Sequence, residues 1–542
     1  MRGSRRGSPC RRILPLAAAA VLSLSVGPAA ADDPPRRPRV TAVEAGADEA
    51  GAGRDDPDAA LDAAAWRGEF DHLATRAAAA GHDRLAEAIR DWDVPALADR
   101  QAVFAIPARI ERPEWVDDGA APLWDAFVAL RRRRAAATFR RAVEAAGAHD
   151  RPKSREESNA ELAGDARGLP RRGAEAITLL HHVLRDDPDH AAARAVGGWV
   201  KRDGEWVSPG VARRLERGDE FDPAFGWLPR GRLARYRAGE RYESGRWVDA
   251  AEDDAAGRTL KRAWTVDSDN WRVRSTAPPA DAAALAASLE EAFLLWRQAF
   301  GAFAWEPAEL EKRFRGRGRT PQRDPFAAVL LDSRERYLEE VTRFEPNAVR
   351  SDAIYWMPTR TAWFAPPPEP PDAPGDAPAG PETRTVRHEC AHQLFAEVRR
   401  GSPLAGERCG FWAIEAVALY LESAVATPFG WTLGGPDAGR VPAARERLLE
   451  DGFHVPLADL TAMGRREFQT DQRLPQLYSE ISGLADFFMN GAAGRHREAF
   501  LEYLDRVYSG SVQPDTLARL CGRSYAELDE EYRDHLARGA AP

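Results

Sequence analysis

"TRTVRHECAHQLFAEVRRG", Thr383 to Gly401, and "FWAIEAVALYLES", Phe411 to Ser423, are the two stretches on which the reading of this 542-residue chain turns. In the first, His388 and His392 stand four residues apart, which on a helix sets both imidazoles on one face, with Glu389 beside them. Val386, Cys390 and Leu394 make an apolar stripe through the same segment and Gly401 closes it, so a helix is predicted. The H-E-x-x-H spacing suits two nitrogen ligands to one divalent ion, with a carboxylate placed to act on water there.

The second stretch is apolar nearly all round, the mark of a buried helix. Glu415 and Glu422 interrupt it two turns apart on one face. A buried carboxylate is costly unless something neutralises it, and a divalent ion does so. A metzincin would need glycine where Phe395 stands and histidine where Val398 stands, so that class is excluded. Glu415 is therefore the expected third ligand of a Zn²⁺ site with His388 and His392, and Glu422 is expected to accept a hydrogen bond from a ligand imidazole.

At this point H-E-C-A-H-Q-L followed by W-A-I-E-A-V-A-L-Y resembles the peptidase-MA-like gluzincins, in particular exported planctomycete-type proteins with a carboxy-terminal zincin domain. The resemblance spans roughly residues 170 to 535. It implies metal-assisted hydrolysis of a peptide or protein substrate, with Glu389 as general base. Ala416 stands where the family more often has glycine. The Gly-x-Met-Glu-Asn segment of gluzincin aminopeptidases is absent, so the expected activity is that of an endopeptidase. Tyr478, in "LPQLYSEISGLADFFM", is the best-placed phenol to stabilise an oxyanion; its alternative is a helix residue packed on the core.

Outward from the site, "DAIYWMPTRTAWFAPP" reads as two strands around Pro358 and Thr359. The edge of that hairpin, Ala353 to Ala365 with Trp356 and Trp363, is expected beside the metal, where an extended substrate could add as a strand. "PFAAVLLDSRERYLEE" predicts a strand then a helix, and "WTVDSDNWRVRST" a strand or hairpin. Strands followed by helices give an α+β domain over 261–542, interrupted by a Pro-rich loop at 365–382. Before it, 59–170 is predicted helical, and 171–260 holds a tetratricopeptide-like helical hairpin and a linker in which "DGEWVSPGVA" and "SGRWVDAAED" present Trp206 and Trp247 as packing anchors.

The amino terminus has five arginines, an apolar run from Ile13 to Val26 and small residues at Ala29 and Ala31, the parts of a secretory signal over 1–31. An Arg11-Arg12 pair leaves the twin-arginine route open. Residues 32–58 read as a disordered leader. Loss of 1–31 removes five positive and no negative charges, taking the net charge from −9 to −14. An acidic chain with only four lysines has no electrostatic case for nucleic acid, and no later segment reaches membrane-spanning length. Of the cysteines left after the signal, at most one pair can bridge, Cys409 with Cys521 being the open option. His181, His182 and His190 read as packing or surface residues. The expectation is an exported, periplasmic or extracellular zinc metallopeptidase whose helical amino-terminal region offers a surface for a protein partner. The alternatives are a non-catalytic envelope scaffold retaining the fold, and a hydrolase of non-peptide amides.

Overall fold

A computed structural model describes residues 57–92, 99–147, 173–243, 245–255, 258–318, 323–366, 381–399 and 401–538. The expected signal, the leader up to residue 56 and most of the Pro-rich loop lie outside the described residues, while Pro57 and Asp58, expected in the leader, open a helix. Among the described residues no helix is long and apolar enough to cross a membrane. The chain is a mainly helical α+β fold.

The amino-terminal part opens with α1 (Pro57–Ala79) and α2 (Asp83–Trp92), then a strand, β1 (Gln101–Phe104), then α3 (Ala121–Ala145) and α4 (Gly173–Asp186). The helical partner of α4 is α3, while α5 (Ala191–Val196) is only six residues long. Residues 200–249 then hold three β-hairpins: β2 (Val200–Arg202) with β3 (Glu205–Val207), β4 (Glu220–Asp222) with β5 (Gly226–Leu228), and β6 (Glu240–Glu243) with β7 (Arg246–Asp249). Helices α6 (Pro209–Arg217) and α7 (Leu233–Arg237) separate them, and α8 (Ala250–Ala255) follows the last. Trp206, Trp227 and Trp247 take the same place in the second strand of each. Each helix covers the next tryptophan, with Arg214 of α6 at 5.8 Å from Trp227 and Arg235 of α7 at 3.9 Å from Trp247. The tryptophans are thus packing anchors of a ββα repeat, of which the sequence displays only the outer two members plainly.

The carboxy-terminal part is built on a five-stranded sheet ordered β11-β12-β10-β9-β8. Its strands are β8 (Trp264–Asp267), β9 (Trp271–Ser275), β10 (Phe326–Leu330), β11 (Ala353–Trp356) and β12 (Thr361–Phe364), with α9 (Pro279–Phe300), α10 (Pro307–Phe314) and α11 (Arg334–Val341) between them. β9, β10 and β12 run parallel, while the edge strands β8 and β11 pair antiparallel. On one face Ala328, Leu330, Tyr355 and Phe364 join the main core, packed against α9 and α12 (Thr383–Glu397). On the other, Val329, Ile354 and Trp356 pack against Tyr337 of α11, with Trp363 partly buried beside them. Alternation along a strand sends neighbours to opposite faces, so Trp356 and Trp363 lie against Phe344, at 4.7 and 5.7 Å, on the side away from α12. This overturns the expectation that the edge from Ala353 to Ala365 presents Trp356 and Trp363 beside the metal for an extended substrate to add as a strand.

Behind α12 stands α13 (Phe411–Glu422), buried from Phe411 through Leu421. After it come β13 (Val425–Thr427), β14 (Gly430–Leu433), α14 (Val441–Leu449), α15 (Leu457–Ala462), α16 (Arg465–Gln469), α17 (Leu474–Gly494), α18 (Arg497–Ser509), α19 (Thr516–Cys521) and α20 (Tyr525–Arg538). Gly410 enters α13 at φ 75°, and a Cβ there would sit 2.9 Å from the Tyr503 hydroxyl, so only glycine fits. β1 pairs antiparallel with β14, making the order β1-β14-β13. The amino-terminal part therefore supplies a strand to the region that follows α13. Gln298 of α9 fixes that strand through both Phe104 backbone groups, at 3.0 and 2.8 Å. Cys390, Cys409 and Cys521 are free thiols, which rules out the Cys409–Cys521 bridge as an option in this fold. His181 bonds the Ile177 carbonyl and is buried, His182 packs edge-on against Phe104, and His190 caps α5.

Candidate metal centre

Helix α12 holds its two histidines between the sheet and α13, because Val386, Cys390 and Leu394 all bury fully against their neighbours. Glu415 comes from the second turn of α13, where the surrounding side chains are apolar. The result is a group of three, His388, His392 and Glu415, whose ligand-type atoms all lie within 4.8 Å of one another. The two Nε2 atoms face each other at 3.0 Å. Glu415 Oε2 is 3.7 Å from His388 Nε2, and Oε1 is 3.9 Å from His392 Nε2. Donors sharing one tetrahedral ion at about 2.1 Å stand about 3.4 Å apart, so these spacings fit a single ion with small adjustment.

The partners of these groups fix their orientation. His388 Nδ1 donates to Glu422 Oε1 at 2.5 Å, which puts the ring proton on Nδ1 and leaves the Nε2 lone pair for the centre. The Tyr478 hydroxyl donates to Glu415 Oε2 at 3.1 Å. Glu415 Oε1 and His392 Nδ1 are buried without a hydrogen-bond partner. An orphaned carboxylate oxygen beside two imidazoles is what a site for a divalent cation leaves when only protein atoms satisfy it.

The electrostatics point the same way. Burial opposes charge on His388, but the hydrogen bond and charge of Glu422, with Glu389 and Glu415, overcome it and raise its pKa to about 9. Burial lifts the Glu415 carboxyl to about 7 against the pull of His388 and Tyr478. Burial and the neighbouring His388 charge drive His392 well below its ordinary value.

Glu389 is fully buried and turns towards the sheet, where the Tyr355 backbone N–H donates to its Oε2 at 2.6 Å. β11 is the sheet edge, so this N–H has no strand partner and serves the carboxylate instead. A second link joins the same elements: Glu397, at the end of α12, receives Gln393 at 3.0 Å, Tyr355 Oη at 3.3 Å and Arg360 Nε at 3.0 Å. The edge strand is thereby held against the helix at both the glutamate and its far end.

All six residues singled out in the sequence, His388, Glu389, His392, Glu415, Glu422 and Tyr478, fall within this one cluster. The phenol of Tyr478 is engaged with Glu415, a position that supports the carboxylate. Sequence reasoning missed Tyr355, which acts through its backbone, and three side chains around the cluster. Arg465 is buried, pairs with Glu407 at 2.9 Å and lies 5.0 Å over Phe411. Tyr508 stacks 5.3 Å from Phe395, two turns along the ligand face from His388, and its buried hydroxyl has no hydrogen-bond partner. Arg440 stands 5.6 Å from the Tyr478 ring. None carries a local motif; Arg465 and Tyr508 are marked only by the burial of a polar group and Arg440 only by its place beside Tyr478, and neither is written in a short window. Comparison with protein-family models, curated proteins and solved structures finds no match to this chain.

Proposed function

We propose that this chain is an exported zinc-dependent peptidase of gluzincin type, with residues 261–542 as a zincin-like catalytic domain and an endopeptidase's preference for unfolded protein substrates. The observation that carries the reading is the pairing of a buried His388, His392 and Glu415 donor set with a carboxylate on the same helix as the histidines, Glu389, that is aimed by the edge strand. Two nitrogens and one carboxylate suit Zn²⁺, which when bound supplies Lewis acidity towards a carbonyl oxygen and towards water. Glu389 takes a proton from the attacking water and returns it to the leaving amine. Glu422 keeps His388 in the tautomer that presents Nε2, and Tyr478 holds Glu415 in place. Tyr508, whose neighbours include the charges of Glu415 and Arg465, retains an uncommitted phenol as a donor to the developing oxyanion.

Export rests on the three-part amino-terminal signal. The helical region is the surface proposed for a protein partner. One observation favours the non-catalytic alternative: Glu389 and Glu415 are fully buried, so substrate has to open the cluster to reach it. Metal analysis of the mature protein, together with cleavage of an unfolded protein substrate, separates the two. Stoichiometric zinc with hydrolysis that Glu389→Gln abolishes supports the enzyme; stoichiometric zinc with no hydrolysis supports the scaffold.

A further inference from the structure

Arginine is abundant around the centre, and several of these side chains have an acidic partner. Arg387 pairs with Glu291 at 2.8 Å, Arg360 with Glu397 at 2.9 Å, Arg465 with Glu407, and Arg399 with Asp505 at 2.6 Å. Arg440 differs. Its guanidinium makes no hydrogen bond and no ion pair among the described residues, although it is only half exposed and the chain carries 85 acidic residues against 76 basic ones.

Its place is defined from two sides. The guanidinium carbon lies 5.6 Å from the centre of the Tyr478 ring, and the hydroxyl of that ring donates to Glu415 Oε2. The preceding residue, Gly439, abuts the end of α13: a Cβ built there would stand 3.2 Å from the Cβ of Ser423, the residue after Glu422. Arg440 therefore sits at the end of the helix that carries both glutamates, one ring away from the donor set. Glu422, the nearest acid along that helix, is already taken by His388 Nδ1. A planar guanidinium with five donors and no acceptor, held against an aromatic ring at the margin of a reactive centre, is set up to take a carboxylate in a bidentate fork.

We propose that Arg440 anchors a substrate carboxylate, so that the preferred substrates carry an acidic side chain or a free carboxy terminus within a few residues of the bond that reacts. The inference rests on the hydrolase reading for the bond cleaved, and on the position of Arg440 for the carboxylate.

Two measurements test it. In the first, the zinc-loaded mature protein is profiled on a peptide library by mass spectrometry, beside Arg440→Gln and Arg440→Lys. Wild type should favour peptides with Asp, Glu or a free carboxy terminus near the cleaved bond. Arg440→Gln should lose roughly 10- to 100-fold in kcat/KM on those peptides, chiefly through KM, and little on their amidated or Asn/Gln copies. Arg440→Lys should restore part of the preference. The free-carboxylate, amidated, Asp and Asn copies identify which carboxylate is read.

In the second, calorimetry follows binding of an alanine-rich peptide bearing one aspartate, and separately of one with a free carboxy terminus, to Glu389→Gln and to Glu389→Gln/Arg440→Gln. Carboxylate-dependent binding that disappears with Arg440 sustains the anchor even if wild type hydrolyses nothing, in which case the hydrolase reading alone falls. Hydrolysis with no carboxylate preference overturns the anchor and leaves that reading standing. An Arg440→Gln protein that loses zinc while keeping its selectivity gives Arg440 a supporting role and also overturns the anchor, as does the absence of any binding and any cleavage.

Discussion

Glu389→Gln is the perturbation that separates chemistry from architecture most cleanly. Glutamine keeps the shape of a side chain that is fully buried, and its amide oxygen can still accept the Tyr355 N–H now held at 2.6 Å. Glu389→Ala is a different experiment, because it strands that N–H inside the protein, a loss of about 1–3 kcal/mol for a buried unmet donor, with a cavity besides. Glu389 is not in the donor set, so metal content should be unchanged by the glutamine variant. What glutamine cannot do is take a proton from water, and a positioned general base contributes roughly 10²- to 10⁴-fold. The assay is threefold: zinc per chain by elemental analysis, thermal unfolding, and single-turnover cleavage of an unfolded protein. The expected result is wild-type zinc, a melting temperature within a few degrees, and a cleavage rate down at least 100-fold with KM little altered. Cleavage at the wild-type rate by Glu389→Gln refutes the assignment of Glu389 as the base. A large fall in zinc would instead mean that the carboxylate reaches the metal directly.

Glu415→Gln and His392→Ala should each lose metal, since the first leaves a neutral, weaker ligand and the second removes one of three donors, and dialysis against a chelator should strip them well before wild type. Tyr508→Phe should leave the fold as stable as wild type or slightly more so, because it deletes a buried hydroxyl that bonds nothing, while lowering kcat roughly 10- to 1000-fold; a marked loss of melting temperature would reveal a structural bond instead. Gln298→Ala should destabilise by about 2 kcal/mol or more, since it unties both Phe104 backbone groups of β1, as read by urea unfolding. Two groups set a pH dependence. Burial works against the His454 cation, but Asp529 and Glu480 raise its pKa to about 9, so its stabilisation is complete below about 6.5 and fades as pH climbs through 9. Burial raises the Glu498 carboxyl to about 7, so its contribution likewise belongs to the protonated form, complete below about 4.5 and lost by the time pH passes 7. Melting curves of His454→Gln and Glu498→Gln across pH 4 to 10 should converge on or diverge from wild type in those two windows.

The sequence by itself determined the features that live within one element. Four-residue spacing places His388 and His392 on one helix face whatever surrounds them, and seven-residue spacing sets Glu415 and Glu422 on a single stripe of an otherwise apolar helix. The hairpin signals at Trp206 and Trp247 were legible for the same reason, while the Trp227 member was not, its loop from Pro223 to Phe225 lacking the Asp-Gly turn of the first hairpin. The tertiary structure alone decided which faces meet. Alternation in "AIYWMPTRTAWF" says that Tyr355 and Trp356 point opposite ways, but only the packing of α11 and α12 on the two sides of the sheet sends the tryptophan away and turns the Tyr355 N–H to Glu389. It also decided that β1, more than three hundred residues earlier, pairs with β14, and that Arg440 rests on Tyr478. Those contacts join residues whose separation along the chain carries no periodicity, because they are selected by the burial of whole elements against one another and not by any preference of the local backbone.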